Sequence, residues 1–220
     1  MFDGHWRDGV DRVTDPVAAT MRRTGITADH LTAFGLVLGV ATALAIGSGR
    51  LGLGLTLLVA AALLDLFDGP VAKAAGTAGP RGAFFDSVAD RVTDALVLGG
   101  IAWYLASEYG GHAALLPFAI LGSSALISYE RAKAESLGYA AKGGLMERAE
   151  RIIALCFGLF VSALLVPLLW VMLALTLVTA TQRFIKVWRQ AEVVPARPQP
   201  PRGRRPAMEE LWRAWREASG

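Results

Sequence analysis

With 220 residues, 54% of them hydrophobic, and a mean hydropathy of +0.43, the chain is too apolar for an ordinary soluble domain and long enough for several membrane-crossing helices. Lys and Arg number 22 against 19 Asp and Glu, a net charge of +3; so small an excess gives no support to a nucleic-acid partner, and the placement of charge says more than its sum. The single cysteine, Cys156, lies in an apolar run, which excludes an intrachain disulfide and predicts a buried, inert thiol.

The first residues are charged and include Trp6 rather than a short apolar core, so no secretory signal is expected. Residues 6–24 place Trp6, Val10, Val13, Val17 and Met21 on one face, with arginines elsewhere. That pattern predicts an amphipathic helix lying among lipid headgroups, kinked or restarted at Pro16; a soluble surface helix is the alternative. Residues 31–49 are an uncharged run of 19, enough to cross the hydrocarbon core. Arg50 interrupts it, and residues 51–64 form a second apolar helix. A third starts near Gly82, carries Asp86 and Asp90, and runs to about Ser107, and residues 109–129, without Lys, Arg, Asp or Glu, give a fourth. Residues 152–182 are uncharged over 31 positions, too long for one ordinary span, and Gly158, Ser162 and Pro167 offer breaks. A tight hairpin of helices over about 147–164 and 168–189 follows.

The expected fold class is therefore all-α: a polytopic membrane protein of six transmembrane helices preceded by an N-terminal amphipathic interfacial helix. Its domains are an interfacial segment over 1–28, a six-helix membrane domain over 29–190, and a basic tail over 191–220. From Val193 to Arg205 the tail is Pro- and Arg-rich, which predicts an extended or disordered segment suited to anionic lipid; a short terminal helix with Leu211, Trp212 and Trp215 on one side is expected after it, for the membrane surface or a partner contact. Lys73 and Arg81 lie at the connection between the second and third helices, and Arg131, Lys133, Lys142, Arg148 and Arg151 at that between the fourth and fifth. Arg183, Lys186 and Arg189 follow along the sixth, and the other connections hold only Arg50. Six spans with this bias put both termini, and the acidic cluster described next, on the cytoplasmic side of the cell membrane.

Residues 65–90 read DLFDGPVAKAAGTAGPRGAFFDSVAD. Four carboxylates, Asp65, Asp68, Asp86 and Asp90, stand in or against strongly apolar sequence, where an unpartnered charge is costly. Asp65 and Asp68 are i, i+3 and Asp86 and Asp90 are i, i+4, so on helices each pair projects from one face. The connector AAGTAGPR predicts a helical hairpin that brings both pairs to a similar depth. Converging carboxylate oxygens are a ligand set for Mg²⁺ or Mn²⁺, with room for two ions to share it. Gly69 and Gly82 lack side chains where a ligand or neighbouring helix comes close. The alternative, ordinary turns at DGP and GPRG with aspartate caps, accounts for one or two of these carboxylates but not four.

The stretch resembles the signature of the CDP-alcohol phosphotransferase family, D-x2-D-G-x2-A-R-x8-G-x3-D-x3-D. Asp65, Asp68, Gly69, Ala72, Gly82, Asp86 and Asp90 fall at the matching positions, and Lys73 stands where the family usually has Arg. The resemblance implies Asp65, Asp68 and Asp86 as the main metal ligands, and Asp90 as both a metal contact and the general base. It also implies a site for CDP-diacylglycerol in which Lys73 neutralises phosphate oxygens and the loop from Thr77 to Arg81 borders the cytidine. Residues 26–35, ITADHLTAFG, resemble the segment that opens the family's first span and borders the nucleotide, which makes Asp29 and Thr32 candidates; a helix cap followed by a packing residue is the alternative. Asp94 continues the series by another i+4 step outside the signature and reads as a polar or structural residue.

Residues 128–151, SYERAKAESLGYAAKGGLMERAER, set a cationic rim beside the acidic centre, as a phosphorylated acceptor needs. The alternative is a set of basic anchors that snorkel into headgroups. Within the family the stretch is most similar to actinobacterial phosphatidylinositol-phosphate synthases, with Lys and Arg exchanged at 131 and 133. That resemblance spans roughly residues 10–190 and implies a pocket for the acceptor phosphate formed by Ser128, Arg131, Lys133, Arg148, Arg151 and Arg183. It implies transfer of a phosphatidyl group from CDP-diacylglycerol to the hydroxyl of a phosphorylated polyol, inositol phosphate first, with release of CMP, two divalent ions and a homodimer. Glycerol phosphate as acceptor, an ion or proton transporter using intramembrane carboxylates, and a catalytically silent scaffold are the other readings.

Overall fold

The computed structural model describes residues 27–75, 79–141 and 143–193, and the side chains of residues 68–70, 72–75 and 193 fall outside that description. The described residues form helices and no strands: α1 (Ala28–Gly47), α2 (Leu51–Ala75), α3 (Pro80–Tyr109), α4 (Leu115–Ser136), α5 (Arg148–Phe160) and α6 (Leu165–Val193). Single 3-10 turns, Gly111–Ala114 and Ser162–Leu164, precede α4 and α6. The interfacial N-terminal helix and the basic tail anticipated above lie outside the described residues.

Several boundaries differ from the sequence reading for identifiable reasons. The second helix does not end with its apolar run but continues to Ala75 through Gly69 and Pro70, so the turn reading of DGP does not hold. An interior proline removes one backbone donor, which a long packed helix can sustain. In the long uncharged run the chain breaks at Val161 and the Ser162–Leu164 turn, so α5 stops at Phe160 and α6 starts at Leu165. Gly158 stays helical, and Pro167 falls in the first turn of α6, where no intrahelical donor is lost. Likewise α3 runs on to Tyr109, and α4 is displaced to Leu115–Ser136.

The helix starts carry local signals. Thr27 caps α1 by accepting the His30 amide hydrogen, while the His30 ring accepts from the Thr27 amide. Thr27 is thus the cap, and Asp29 stands in the first turn beside it. Pro80 opens α3 behind Gly79.

Three segments, Ala28–Gly47, Gly111–Ser136 and Ser162–Glu192, are long and apolar enough to cross a membrane, and Leu51–Phe67 is a shorter apolar stretch. The sequence expectation of six spans exceeds that count because α3 carries Asp86, Asp90, Arg91 and Asp94, and α5 has only 13 residues, about 20 Å of helix. Large apolar side chains nevertheless face outward on every described helix; Phe160 is 75% exposed, Ile153 68% and Val37 62%. Helices apolar on their outer faces as well as inside belong in lipid, and the chain is a membrane protein.

α1 packs on α2 and α3, α3 on α4, α4 on α6, and α5 on α2 and α6. The core they share includes Ile46, Leu58, Ile101, Ile120, Leu155 and Met172. Fully buried Thr42, Thr176 and Thr179 return their hydroxyl protons to carbonyls one turn back, so none adds an unpaired donor to the interior. At the α1–α3 crossing, a Cβ on Gly100 would lie 2.6 Å from the Ala43 carbonyl oxygen and 2.8 Å from its Cα. Backbone cannot yield there as a side chain can, so Gly100→Ala is expected to destabilise the fold by about 1–3 kcal/mol, read as a lower thermal unfolding midpoint in detergent.

Candidate active site

Helices α2 and α3 bring together three of the four acidic residues that the spacing singled out. Asp65 on α2 meets Asp86 and Asp90 on α3, and one carboxylate oxygen from each lies within 4.8 Å of the others. The side chain of Asp68 is outside the described residues, as are those of Gly69, Ala72 and Lys73 and the whole of Thr77 and Lys142. Thr32, buried on α1, lines the same cleft and donates its hydroxyl to the Ala28 carbonyl. Asp29 in the first turn of α1 lies 3.9 Å from Arg81 in the first turn of α3, with the Arg81 side chain 94% exposed. Among the described residues, a Cβ at Gly82 would meet nothing within 4 Å, so none of them requires the glycine.

Opposing the carboxylates is the first turn of α5. Arg148 Nη1 donates to Asp65 Oδ2 at 2.6 Å and lies 2.8 Å from Asp90 Oδ1. One turn later, Arg151 Nη2 donates to Asp94 Oδ2 at 2.6 Å. Four cleft carboxylates thus face two guanidinium groups from α5, and Arg91 adds a more exposed contact to Asp90 at 3.2 Å. Hard oxygen donors with a remaining excess of negative charge suit a divalent cation, and the residues present fit one.

The loop entering α5 is held from α6. Thr179 Oγ1 accepts the amide hydrogens of Leu145 and Met146, and Gly143 adopts a φ of 95° that side chains rarely take. Gly144 lies against the Thr179 methyl, where a Cβ would collide. Arg183 fixes the same loop, donating to the carbonyls of Ile127 and Gly143 and to Glu147 Oε1.

The six residues expected at the acceptor phosphate therefore divide. Arg148 and Arg151 reach the carboxylates, and Arg183 is buried beneath the loop. Ser128 bonds back to the Ser124 carbonyl, Arg131 pairs with Glu135 on the surface of α4, and Lys133 is exposed. Asp94, an i+4 step beyond Asp90 and expected to be a polar or structural residue, pairs with Arg151. Sequence reading gave no role to Thr179, for which no local pattern exists.

The phosphatidylinositol phosphate synthase of Mycobacteroides abscessus is 35% identical over 185 residues, covering 80% of this chain and 84% of the relative. The archaetidylinositol phosphate synthase of Methanothermobacter thermautotrophicus is 35% identical over 193 residues, covering 84% and 93%. A crystal structure of Mycobacterium tuberculosis phosphatidylinositol phosphate synthase with CDP-DAG bound matches with a TM-score of 0.75 at 32% identity, over 80% of this chain and 94% of that one. The same enzyme in complex with manganese and citrate matches with a TM-score of 0.75 at 31% identity, over 80% and 88%. The profile of CDP-alcohol phosphatidyltransferase covers residues 25–191, aspartate series and α5 arginines included, and the chain belongs to that family.

Proposed function

We propose that the chain is a membrane-embedded transferase that moves a phosphatidyl group from CDP-diacylglycerol to a hydroxyl of a phosphorylated polyol, with inositol phosphate as the preferred acceptor. The convergence of Asp65, Asp86 and Asp90 opposite Arg148 carries the reading, because it sets an acidic cation-holding centre directly against a phosphate-binding group. Asp68 completes the ligand set. Bound Mg²⁺ or Mn²⁺, as two ions, would offset charge on the pyrophosphate oxygens.

The residues of the chain supply the rest. Asp90 takes the proton from the acceptor hydroxyl as its oxygen bonds to the phosphatidyl phosphorus and the bond to CMP breaks, so CMP leaves with the electron pair. Arg148, Arg151 and Arg183, with Ser128, Arg131 and Lys133 at the rim, hold the acceptor phosphate. Asp29, Thr32, Gly69, Ala72, Lys73, Thr77, Arg81 and Gly82 border the nucleotide half of the donor, whose acyl chains stay in the bilayer. The polar groups gather at one end; the cavity at the other is lined mainly by apolar residues such as Leu105, Leu116 and Trp170, which favours an enzyme over a transporter.

The same reading takes all six helices as spans, with residues 1–28 interfacial, 29–190 the membrane domain and 191–220 a basic tail. The site and both termini face the cytoplasm, and two copies pair as a homodimer. Arg131 and Lys133 toward the end of α4, and Arg148 and Arg151 at the start of α5, support the sidedness.

CMP release from radiolabelled CDP-diacylglycerol, scored with the lipid product across a panel of acceptors, tests the function. Inositol phosphate is expected to give the highest kcat/KM; preference for glycerol phosphate would assign a phosphatidylglycerol-phosphate synthase instead.

A further inference from the structure

Asp94 lies outside the family signature and outside the cation-holding group, yet it is the carboxylate that the α5 arginines share. Its Oδ2 accepts from Arg151 at 2.6 Å, with the Arg151 side chain 7% exposed and that of Asp94 17%. Its other oxygen, Oδ1, lies 3.9 Å from Arg148 Nε. That Nε is buried and has no hydrogen-bond partner among the described residues. Arg148 is therefore held at one end by Asp65 and Asp90, both members of the cation-holding group, while its unsatisfied edge faces Asp94.

A divalent cation on Asp65 and Asp90 competes with Arg148 for the same oxygens. A buried guanidinium released there needs another acceptor, because an unpaired buried charge is strongly unfavourable. Asp94 is that acceptor: it is within reach, already paired with Arg151, and not among the cation-holding carboxylates. We infer that Asp94 is a positioning residue, anchoring Arg151 permanently and taking up Arg148 when the cation claims Asp65 and Asp90, so that both guanidinium groups stay aimed at the acceptor phosphate. This rests on the reading of the acidic cluster as a divalent-cation site.

The test is Mn²⁺ affinity of the full-length protein in detergent, read by electron paramagnetic resonance of free Mn²⁺ without substrates. Asp94→Asn keeps the shape and removes the charge, so Arg148 stays on Asp65 and Asp90, and Mn²⁺ is expected to bind about tenfold more weakly. Arg148→Gln removes the competitor and is expected to tighten Mn²⁺ binding, a gain that misfolding cannot imitate. In the Arg148→Gln background, Asp94→Asn should change the affinity less than about twofold. At saturating Mn²⁺, Asp94→Asn should raise the KM for the acceptor while the KM for CDP-diacylglycerol stays near wild type. An equal loss of Mn²⁺ affinity from Asp94→Asn in both backgrounds would mark a simple charge effect and overturn the inference, as would unchanged affinity in Arg148→Gln. Failure of the wild-type protein to bind Mn²⁺ would overturn the cation site itself, and this inference with it.

Discussion

Asp90→Asn is expected to lower CMP release from CDP-diacylglycerol by about 10²–10⁴-fold, the range associated with a positioned general base. Asp90 sits between Asp86 and Asp94 on α3, with its side chain 16% exposed, and each of its oxygens faces an arginine: Oδ1 lies 2.8 Å from Arg148 and Oδ2 3.2 Å from Arg91. Asparagine preserves volume but puts an NH₂ group where one carboxylate oxygen stood, and that group cannot accept a proton from the acceptor hydroxyl. It also removes one oxygen from the trio that converges with Asp65 and Asp86. The two losses separate by metal titration. EDTA should bring wild-type CMP release to background and added Mn²⁺ should restore it, whereas excess Mn²⁺ should leave the Asn variant inactive. A variant keeping more than about a tenth of wild-type release would remove Asp90 from the base role.

The acidic centre was legible because its chemistry is written in short intervals. Asp86 and Asp90 need only one helix to share a face, and the Gly/Pro-rich connector announces the return that brings Asp65 alongside. The basic half was legible only as residue types. Arg148 meets Asp65 across 83 positions of chain and Arg151 meets Asp94 across 57, contacts that no local period encodes. Helix limits failed for a related reason. Apolar composition says that a segment is buried in protein or lipid, not where its backbone turns, so of the breakers Gly158, Ser162 and Pro167 the sequence reading sets the turn between 164 and 168. The chain turned at Val161 and Ser162 because helix geometry tolerates Pro in a first turn and Gly in an interior packed against Leu165 and Leu168. The double glycine at 143–144 was visible as a pattern, but its causes, a φ of 95° at Gly143 and the approach of Thr179 from α6 to Gly144, belong to the loop's backbone path and to tertiary packing.

Arg183→Met is expected to destabilise the substrate-free protein by about 3–5 kcal/mol, seen as a large fall in the thermal unfolding midpoint in detergent. The sequence offers Arg183 as a ligand of the acceptor phosphate or as a headgroup anchor; the structure gives its guanidinium an architectural task. Its side chain is 3% exposed, and it donates to Ile127 O at 3.0 Å, Gly143 O at 3.1 Å and Glu147 Oε1 at 3.2 Å. Methionine fills a similar volume but leaves two carbonyls and a carboxylate without that donor, and removing one member of a buried ion pair costs more than never having had the pair. The freed loop leads directly into α5, so Arg148 and Arg151 lose their placement and the KM for the acceptor should rise along with the loss of stability. Glu147→Gln keeps an acceptor oxygen for Arg183 and should show a smaller version of both effects. The two roles are compatible in donor number, because these bonds use three of the five guanidinium N–H groups and Nε has no hydrogen-bond partner among the described residues. A ligand-only role predicts a different result: Arg183→Met would raise the acceptor KM and leave the unfolding midpoint of the substrate-free protein unchanged, because no contact that the fold depends on would have been lost.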